Sequence, residues 1–306
     1  MSEQGTLADE PMWRRVAMLP LVAMVLAVLL YVFAAVLGVM LGSLIPELGS
    51  QAMNSIAKDG VVLLLVIGIY KLLIVHLGMR PRDDLPLKGS LSGLGKGILA
   101  GVAIFTAVIA IAFALGIYRI VGKGDHSVLP VALVTIGFLP AFTEELLFRG
   151  ILFRWIEEFA GSWIALTLTS LLFGLAHIFN PGATWFSSFA IAVEAGLLLG
   201  GAYMLTRSLW MPVGLHAAWN FAEGPVFGVP VSGGPSAGLV RASISGPSLL
   251  TGGPFGLEAS LIAVAVATAA GVWFIRVARR RGELIGPSWI TSTPLVGGSR
   301  AGLPKA

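Results

Sequence analysis

The sequence predicts an all-α polytopic membrane protein of about eight transmembrane helices, and three observations carry that prediction. Only 12% of the 306 residues are charged, against about 25% in soluble domains. Mean hydropathy is +0.89, and apolar runs of about 20 residues, long enough to cross a bilayer as helices, recur along the chain. Lys and Arg gather in alternate loops between those runs.

The apolar spans fall at roughly 17–43, 60–79, 94–118, 129–157, 162–180, 184–206, 209–228 and 257–277. Residues 1–16 form a cytoplasmic segment, 17–281 the eight-helix membrane domain, and 282–306 a disordered cytoplasmic tail. The opening MSEQGTLADEPMWRR is acidic before its Arg pair, and the apolar run behind it exceeds the core of a cleaved signal. Residues 224–256 are rich in Gly, Pro and Ser, the composition of a loop between the last two spans. No period of 20–50 residues repeats.

Orientation follows from the basic residues. One set of alternate loops holds Arg14, Arg15, Arg80, Arg82, Lys88, Arg154, Arg207, Arg276, Arg279, Arg280 and Arg281. The other holds Lys58, Arg119, Lys123 and Arg241. The richer set is cytoplasmic by the positive-inside rule, which puts both termini inside, as an even number of spans requires. The plasma membrane is the expected location and the lipid bilayer the first partner. The net charge of +4 belongs to these loops, so nucleic acid is not an expected partner. The chain has no cysteine, which excludes disulfides, a cysteine nucleophile and thiolate metal sites.

Ionisable groups inside apolar spans are costly and mark function. The fourth span carries TEELLFRG, residues 143–150. Glu145 and Arg149 are four apart, on one helix face, with the carboxylate N-terminal to the cation, the favourable order. They can neutralise each other. Glu144 is turned about 100° away and has no cation three or four residues off on its own helix, so its partner must come from another span. The next span carries LLFGLAHIF, with Phe173 one turn before His177, and the one before the last carries GLHAAWNF, with His216 and Asn220 on one face. At 1.5 Å per residue, Glu144 lies roughly 20 Å from the inner end of its helix and His177 roughly 22 Å from its own, with His216 roughly 13 Å in. The four groups are therefore expected to meet in the cytoplasmic half to the middle of the bilayer.

A carboxylate beside an imidazole can hold and deprotonate a water, and an imidazole N–H with a carboxamide N–H can receive a developing oxyanion. Together they suit amide hydrolysis. Glu144, His177 and His216 also have the composition of a catalytic zinc site, although no HExxH is present; residue types and spacing leave the two mechanisms open.

The three motifs, EExxxR at 144–149, FxxxH at 173–177 and HxxxN at 216–220, resemble those of the CPBP family: the type II CAAX prenyl endopeptidases and the bacteriocin-processing and self-immunity proteins. The resemblance covers roughly residues 128–228 and implies a CAAX-protease-like helix bundle with endopeptidase activity. It implies that Glu144 and His177 activate the water, that His216 and Asn220 stabilise the oxyanion, and that Glu145, Arg149 and Phe173 support them. The family has been described both as metalloprotease and as a metal-independent glutamate-type protease; the latter is favoured here, with zinc kept open. The expected substrate is a peptide or membrane protein, as in CAAX-type or bacteriocin and leader processing.

Two other classes stay in view: a non-catalytic immunity or scaffold protein of the same architecture, and a proton-coupled transporter, since Glu and His also form relays. The halves of the sequence show no matching interrupted helices of the transporter kind. Of the remaining ionisable residues, Lys71 and Glu194 are of opposite sign and can pair across helices. Glu223 belongs at the rim or behind the site, and His76 at the cytoplasmic end of its span.

Overall fold

The computed structural model describes residues 11–288 except 79–81 and 236, and the Trp13 side chain is likewise outside the description. Its helices are α1 (Pro20–Ser43), α2 (Gln51–Leu72), α3 (Ser90–Ala114), α4 (His126–Ala160), α5 (Ser162–Ala176), α6 (Trp185–Thr206), α7 (Trp210–Phe221) and α8 (Leu261–Arg280). Among the described residues seven helices are long and apolar enough to cross a membrane. The eighth expected span, 209–228, is the exception. There α7 has twelve residues and continues through a π turn at Ala222–Val226. Every residue from Met211 to Asn220 is buried, so α7 is the core helix of the bundle and shows little surface to lipid. By contrast α1 presents Leu29, Val32, Phe33 and Val36 outward, as a lipid-facing helix does.

Helix starts follow ordinary capping chemistry. Ser50 Oγ accepts from Met53 N at 3.2 Å, Ser260 Oγ accepts from Ala263 N at 3.2 Å, and Thr184 forms a reciprocal capping box with Ser187. These caps begin α2, α8 and α6, all on the face opposite the arginine-rich loops.

The bundle is held together by small residues that let backbones touch, the common device between membrane helices. A Cβ on Gly97 would collide with the Met211 carbonyl, and one on Gly101 with the Leu215 carbonyl, where α3 crosses α7. Gly174 of α5 lies against Ser188 and Ala192 of α6, and Gly196 of α6 against Ser170 of α5.

Helix α4 is not regular. Two π-helical stretches, Leu133–Phe138 and Leu146–Phe153, interrupt it. Such widened turns recur at functional sites. Pro140 lacks an N–H, so the Ile136 carbonyl loses its α-helical donor.

The loop expected at 224–256 is more ordered than its composition suggests. It contains β2 (Val240–Ile244), which pairs antiparallel with β1 (Tyr118–Lys123) from Tyr118↔Ile244 to Lys123↔Val240, with an irregularity between Ile120 and Gly122. The Tyr118 hydroxyl donates to the Phe227 carbonyl at 2.9 Å and ties the ribbon to the end of α7. The molecule remains an all-α membrane bundle carrying one small ribbon.

The opposite, arginine-rich face is closed by buried polar bonds. Glu157 accepts from Arg207 at 2.6 Å and from the Ser162 hydroxyl at 2.5 Å. Arg82 pairs with Asp84 at 2.8 Å and donates to the Tyr203 hydroxyl, and Arg154 donates to the Arg82 carbonyl at 2.8 Å. Burial pushes the Asp84 carboxyl above its usual range in spite of the adjacent Arg82 guanidinium. The segments expected at 1–16 and 282–306 lie largely outside the described residues. The second begins as a tethered strap: Ile285 N donates to Ser162 Oγ and the Ser288 hydroxyl to the Phe159 carbonyl, both at 2.8 Å.

Replacement of Gly101 by Val should force α3 and α7 apart, because the obstacle is backbone. A loss of about 1–3 kcal/mol is expected, read as a lower thermal midpoint in detergent. Gly95→Val, where an added Cβ meets nothing within 4 Å, should leave the midpoint unchanged. Equal midpoints for the two variants would contradict the close crossing.

Candidate active site

Glu145 is the electrostatic hub. Its Oε1 accepts from Arg149 Nη1 at 2.7 Å, the bond its i,i+4 spacing predicts, and from His216 Nδ1 at 3.1 Å. Glu145 and Arg149 are 0% and 1% exposed, so neither charge has solvent to fall back on. Arg149 also donates to the Ala195 carbonyl at 3.1 Å and lies over the Phe173 ring, 4.8 Å from its centre. One guanidinium thus joins α4, α5 and α6, and the carboxylate brings in α7. Phe173 lies 4.7 Å from the His177 ring and 6.1 Å from the His216 ring, measured between centres. It is the apolar wall against which both imidazoles are set.

The tautomers follow from these partners. His177 Nδ1 is 2.8 Å from the Phe173 carbonyl oxygen. A carbonyl can only accept, so Nδ1 carries the proton and Nε2 keeps its lone pair. His216 Nδ1 faces a carboxylate and must also donate. An N–H at His216 Nε2 then means the imidazolium form, with Glu145 as its counter-charge.

Asn220 Nδ2 donates to the Ile136 carbonyl at 3.3 Å. This is the carbonyl that Pro140 leaves without its helical donor, so α4's irregularity and the carboxamide's orientation are one feature. The second Nδ2 hydrogen stays available.

Glu144, His177, His216 and Asn220 line one open cavity of about 330 Å³. Its other walls are Ile136 and Pro140 of α4, Asn180 after α5, and Gly224, Val231, Ser232, Gly234 and Pro235 beyond α7. Glu144 Oε2 is buried and has no hydrogen-bond partner among the described residues. The structure therefore brings together all four residues expected to carry the chemistry, and it sets Glu145, Arg149 and Phe173 behind them.

Helix α5 ends at Ala176, so His177 begins the 3-10 turn at its end far from Ser162. The cavity walls contributed by 180 and 224–235 belong to connections on the face opposite the arginine-rich loops. The site sits toward that end, because α5 is short and α4 begins well beyond it.

Other residues differ from expectation. Lys71 pairs with Asp83 at 2.6 Å and donates to the Leu85 carbonyl at 2.6 Å, rather than meeting Glu194. Glu194 borders a second, small cavity of about 30 Å³ behind the imidazoles, shared with His177, His216, Asn220 and Glu258. Glu223 is buried, accepting from Trp219 Nε1 and from Glu258 N, both at 3.2 Å. Glu258 accepts in turn from Ser232 N in the cavity wall. Sequence reasoning missed Glu258, since it sits outside the motifs at the start of the last span; its only signal was an acid beside an apolar run.

The donor set for zinc does not assemble. Among the described residues no three His, Asp or Glu side chains are grouped to hold a metal ion. Glu144, His177 and His216 share a cavity but are not grouped as one ion's ligands, and no step is derived through a metal.

Removing Arg149 should strand the Glu145 charge in the core. Arg149→Ala is expected to cost about 3–5 kcal/mol, seen as a large drop in the detergent melting temperature. The double variant Glu145→Leu, Arg149→Met should recover much of that stability. A single-variant midpoint equal to wild type would show that the pair is not buried as described.

Comparison with known proteins bears on the same region. Residues 126–222 match the family described as Rce1-like: Type II CAAX prenyl endopeptidase Rce1-like. No curated protein matches the chain, and no solved structure does either. The matched stretch contains all three motifs and runs from the start of α4 to the end of α7. The match is consistent with the CPBP resemblance read from those motifs: residues 126–222 of this multi-pass membrane protein are similar to the Rce1-like, type II CAAX prenyl endopeptidase domain.

Proposed function

We propose that the protein is an intramembrane endopeptidase that hydrolyses a peptide bond with a water activated by Glu144 and His177. The observation that supports it best is the shared cavity in which Glu144 Oε2 stands buried and unpartnered beside His177, His216 and Asn220. A water there would donate to Glu144 and to the His177 Nε2 lone pair. As it attacks the scissile carbonyl, its proton passes to that pair and is returned to the leaving amine. The carbonyl oxygen becomes an oxyanion, received by His216 Nε2–H and the second Asn220 N–H. Glu145 and Arg149 keep His216 placed, and the Phe173 carbonyl keeps His177 in the tautomer with a free Nε2.

The substrate class is a peptide or membrane-protein segment, of CAAX type or of the bacteriocin and leader type. The protein is placed in the plasma membrane with both termini on the cytoplasmic side, following its basic loops.

Glu144→Gln keeps the side chain's size and removes its basicity. Peptide hydrolysis by the purified protein should fall at least about 100-fold, while the melting temperature stays within a degree or so of wild type. His177→Ala should fall comparably. A metal chelator should leave wild-type turnover unchanged, since in this reading Glu144 and His177 act on the water directly. Full activity in Glu144→Gln would rule out the assigned role, and chelator-sensitive activity would restore the metal reading.

A further inference from the structure

The ribbon gathers cations. Arg119, Lys123 and Arg241 lie on its two strands, which carry no acid. The register sets Arg241 opposite Gly122. Gly122 has no Cβ, which leaves room for the Arg241 guanidinium to lie across β1; a Cβ there would come within 2.8 Å of Nη2 and 3.1 Å of Nε. Lys123 is the next residue along the strand. Lys123 and Arg241, both exposed, line one open cavity of about 600 Å³, and Gly124, Gly228 and Gly238 supply backbone to its wall. The one acid in that wall, Asp125, is engaged in capping the start of α4, accepting from Ser127 N at 2.8 Å. Among the described residues neither Lys123 nor Arg241 has a carboxylate partner.

This basic cavity adjoins the one that holds Glu144. Residues 224–235 line the Glu144 cavity, and the same segment continues into the basic one at Ala237 and Gly238. The wall between them is one backbone thick: a Cβ on Gly238 would strike the carbonyls of Gly224 and Pro225, and Gly224 itself faces Glu144's cavity. A cleft lined by cations concentrates anionic groups, and a guanidinium matches a carboxylate in shape as well as charge. Glu144 disfavours an acid at the scissile bond itself, so the acidic residues belong a short way along the chain.

We propose that the basic cavity binds an acidic stretch of the polypeptide whose peptide bond enters the neighbouring cavity, with Lys123 and Arg241 selecting it. This rests on the hydrolytic reading of that neighbouring cavity, but the selection can be measured without turnover. A lipid headgroup would satisfy the same cations; the shared wall favours a chain that reaches both cavities.

The full-length Glu144→Gln variant, in neutral detergent, reports binding apart from cleavage. Its affinity would be measured by fluorescence anisotropy for labelled peptides that share one apolar core and carry a run of Glu or of Gln before or after it. In low salt the Glu peptide should bind at least about threefold tighter than its Gln counterpart in one of the two placements, the scale of two exposed charge contacts. The preference should vanish at about 1 M salt, where the screening length is about 3 Å. Adding Lys123→Gln and Arg241→Gln should abolish it, each alone should weaken it, and Lys58→Gln on α2 should leave it intact. With Glu144 restored, the same preference should appear in KM and not in kcat. Equal affinity for Glu and Gln peptides in both placements overturns the proposal, as does a preference that survives the double substitution. Binding of an anionic phospholipid in nanodiscs that depends on Lys123 and Arg241, with a peptide preference that does not, also overturns it and assigns the cavity to lipid. Absence of cleavage of every peptide by the wild type, with the affinity preference present, counts against the hydrolytic reading and leaves the basic cavity's assignment standing.

Discussion

The structure depends on a buried charge balance. A guanidinium with 1% exposure and a carboxylate with none are tolerable inside a membrane bundle only as partners. Neither is satisfied by the other alone. Arg149 needs the Ala195 carbonyl and the Phe173 ring; Glu145 needs His216. Those further partners come from three other helices, so satisfying the pair fixes how α5, α6 and α7 stand against α4. The geometry of the proposed catalytic groups is then a by-product of an electrostatic requirement. His216 cannot turn without exposing a carboxylate to hydrocarbon, and Phe173 cannot move without uncovering the guanidinium.

The second constraint is backbone chemistry. Pro140 removes one donor from α4, and the π stretches on either side absorb the mismatch. The carbonyl left over is met by Asn220 from α7. Two irregularities that would weaken an isolated helix become the join between two elements. Glycines perform the complementary task, allowing α3 to approach α7 closely enough that the latter is enclosed.

Much of this was legible in the residues, and what was not has physical reasons. Spacing on one helix is visible in sequence, so the Glu145–Arg149 bond and the left-over Glu144 could be read directly. A bond between helices is not, and nothing in the spacing ties Glu145 to His216 or Lys71 to Asp83. Hydropathy marked 209–228 as a span because its residues are apolar, but burial in protein and burial in lipid select the same composition. The enclosure of Met211–Asn220 by the neighbouring helices separates them. Counting from inner ends assumes helices of equal length, whereas α5 stops at Ala176 and α4 runs for 35 residues. The ribbon was hidden by glycine-rich surroundings, and Glu258 by lying far from the motifs it stands behind.

The burial of α7 has a consequence for how the protein is made. A segment that carries His216, Asn220 and Glu223 is costly to place in lipid unaided. It can be accommodated only where α3, α4 and α6 already form a groove to receive it. Synthesis therefore imposes an order: six helices must be in the bilayer before the seventh has somewhere to go, and α8 follows to close the far side. The cavity-lining groups are brought together only when α7 docks, so a half-synthesised chain carries Glu144 and His177 without His216 and Asn220.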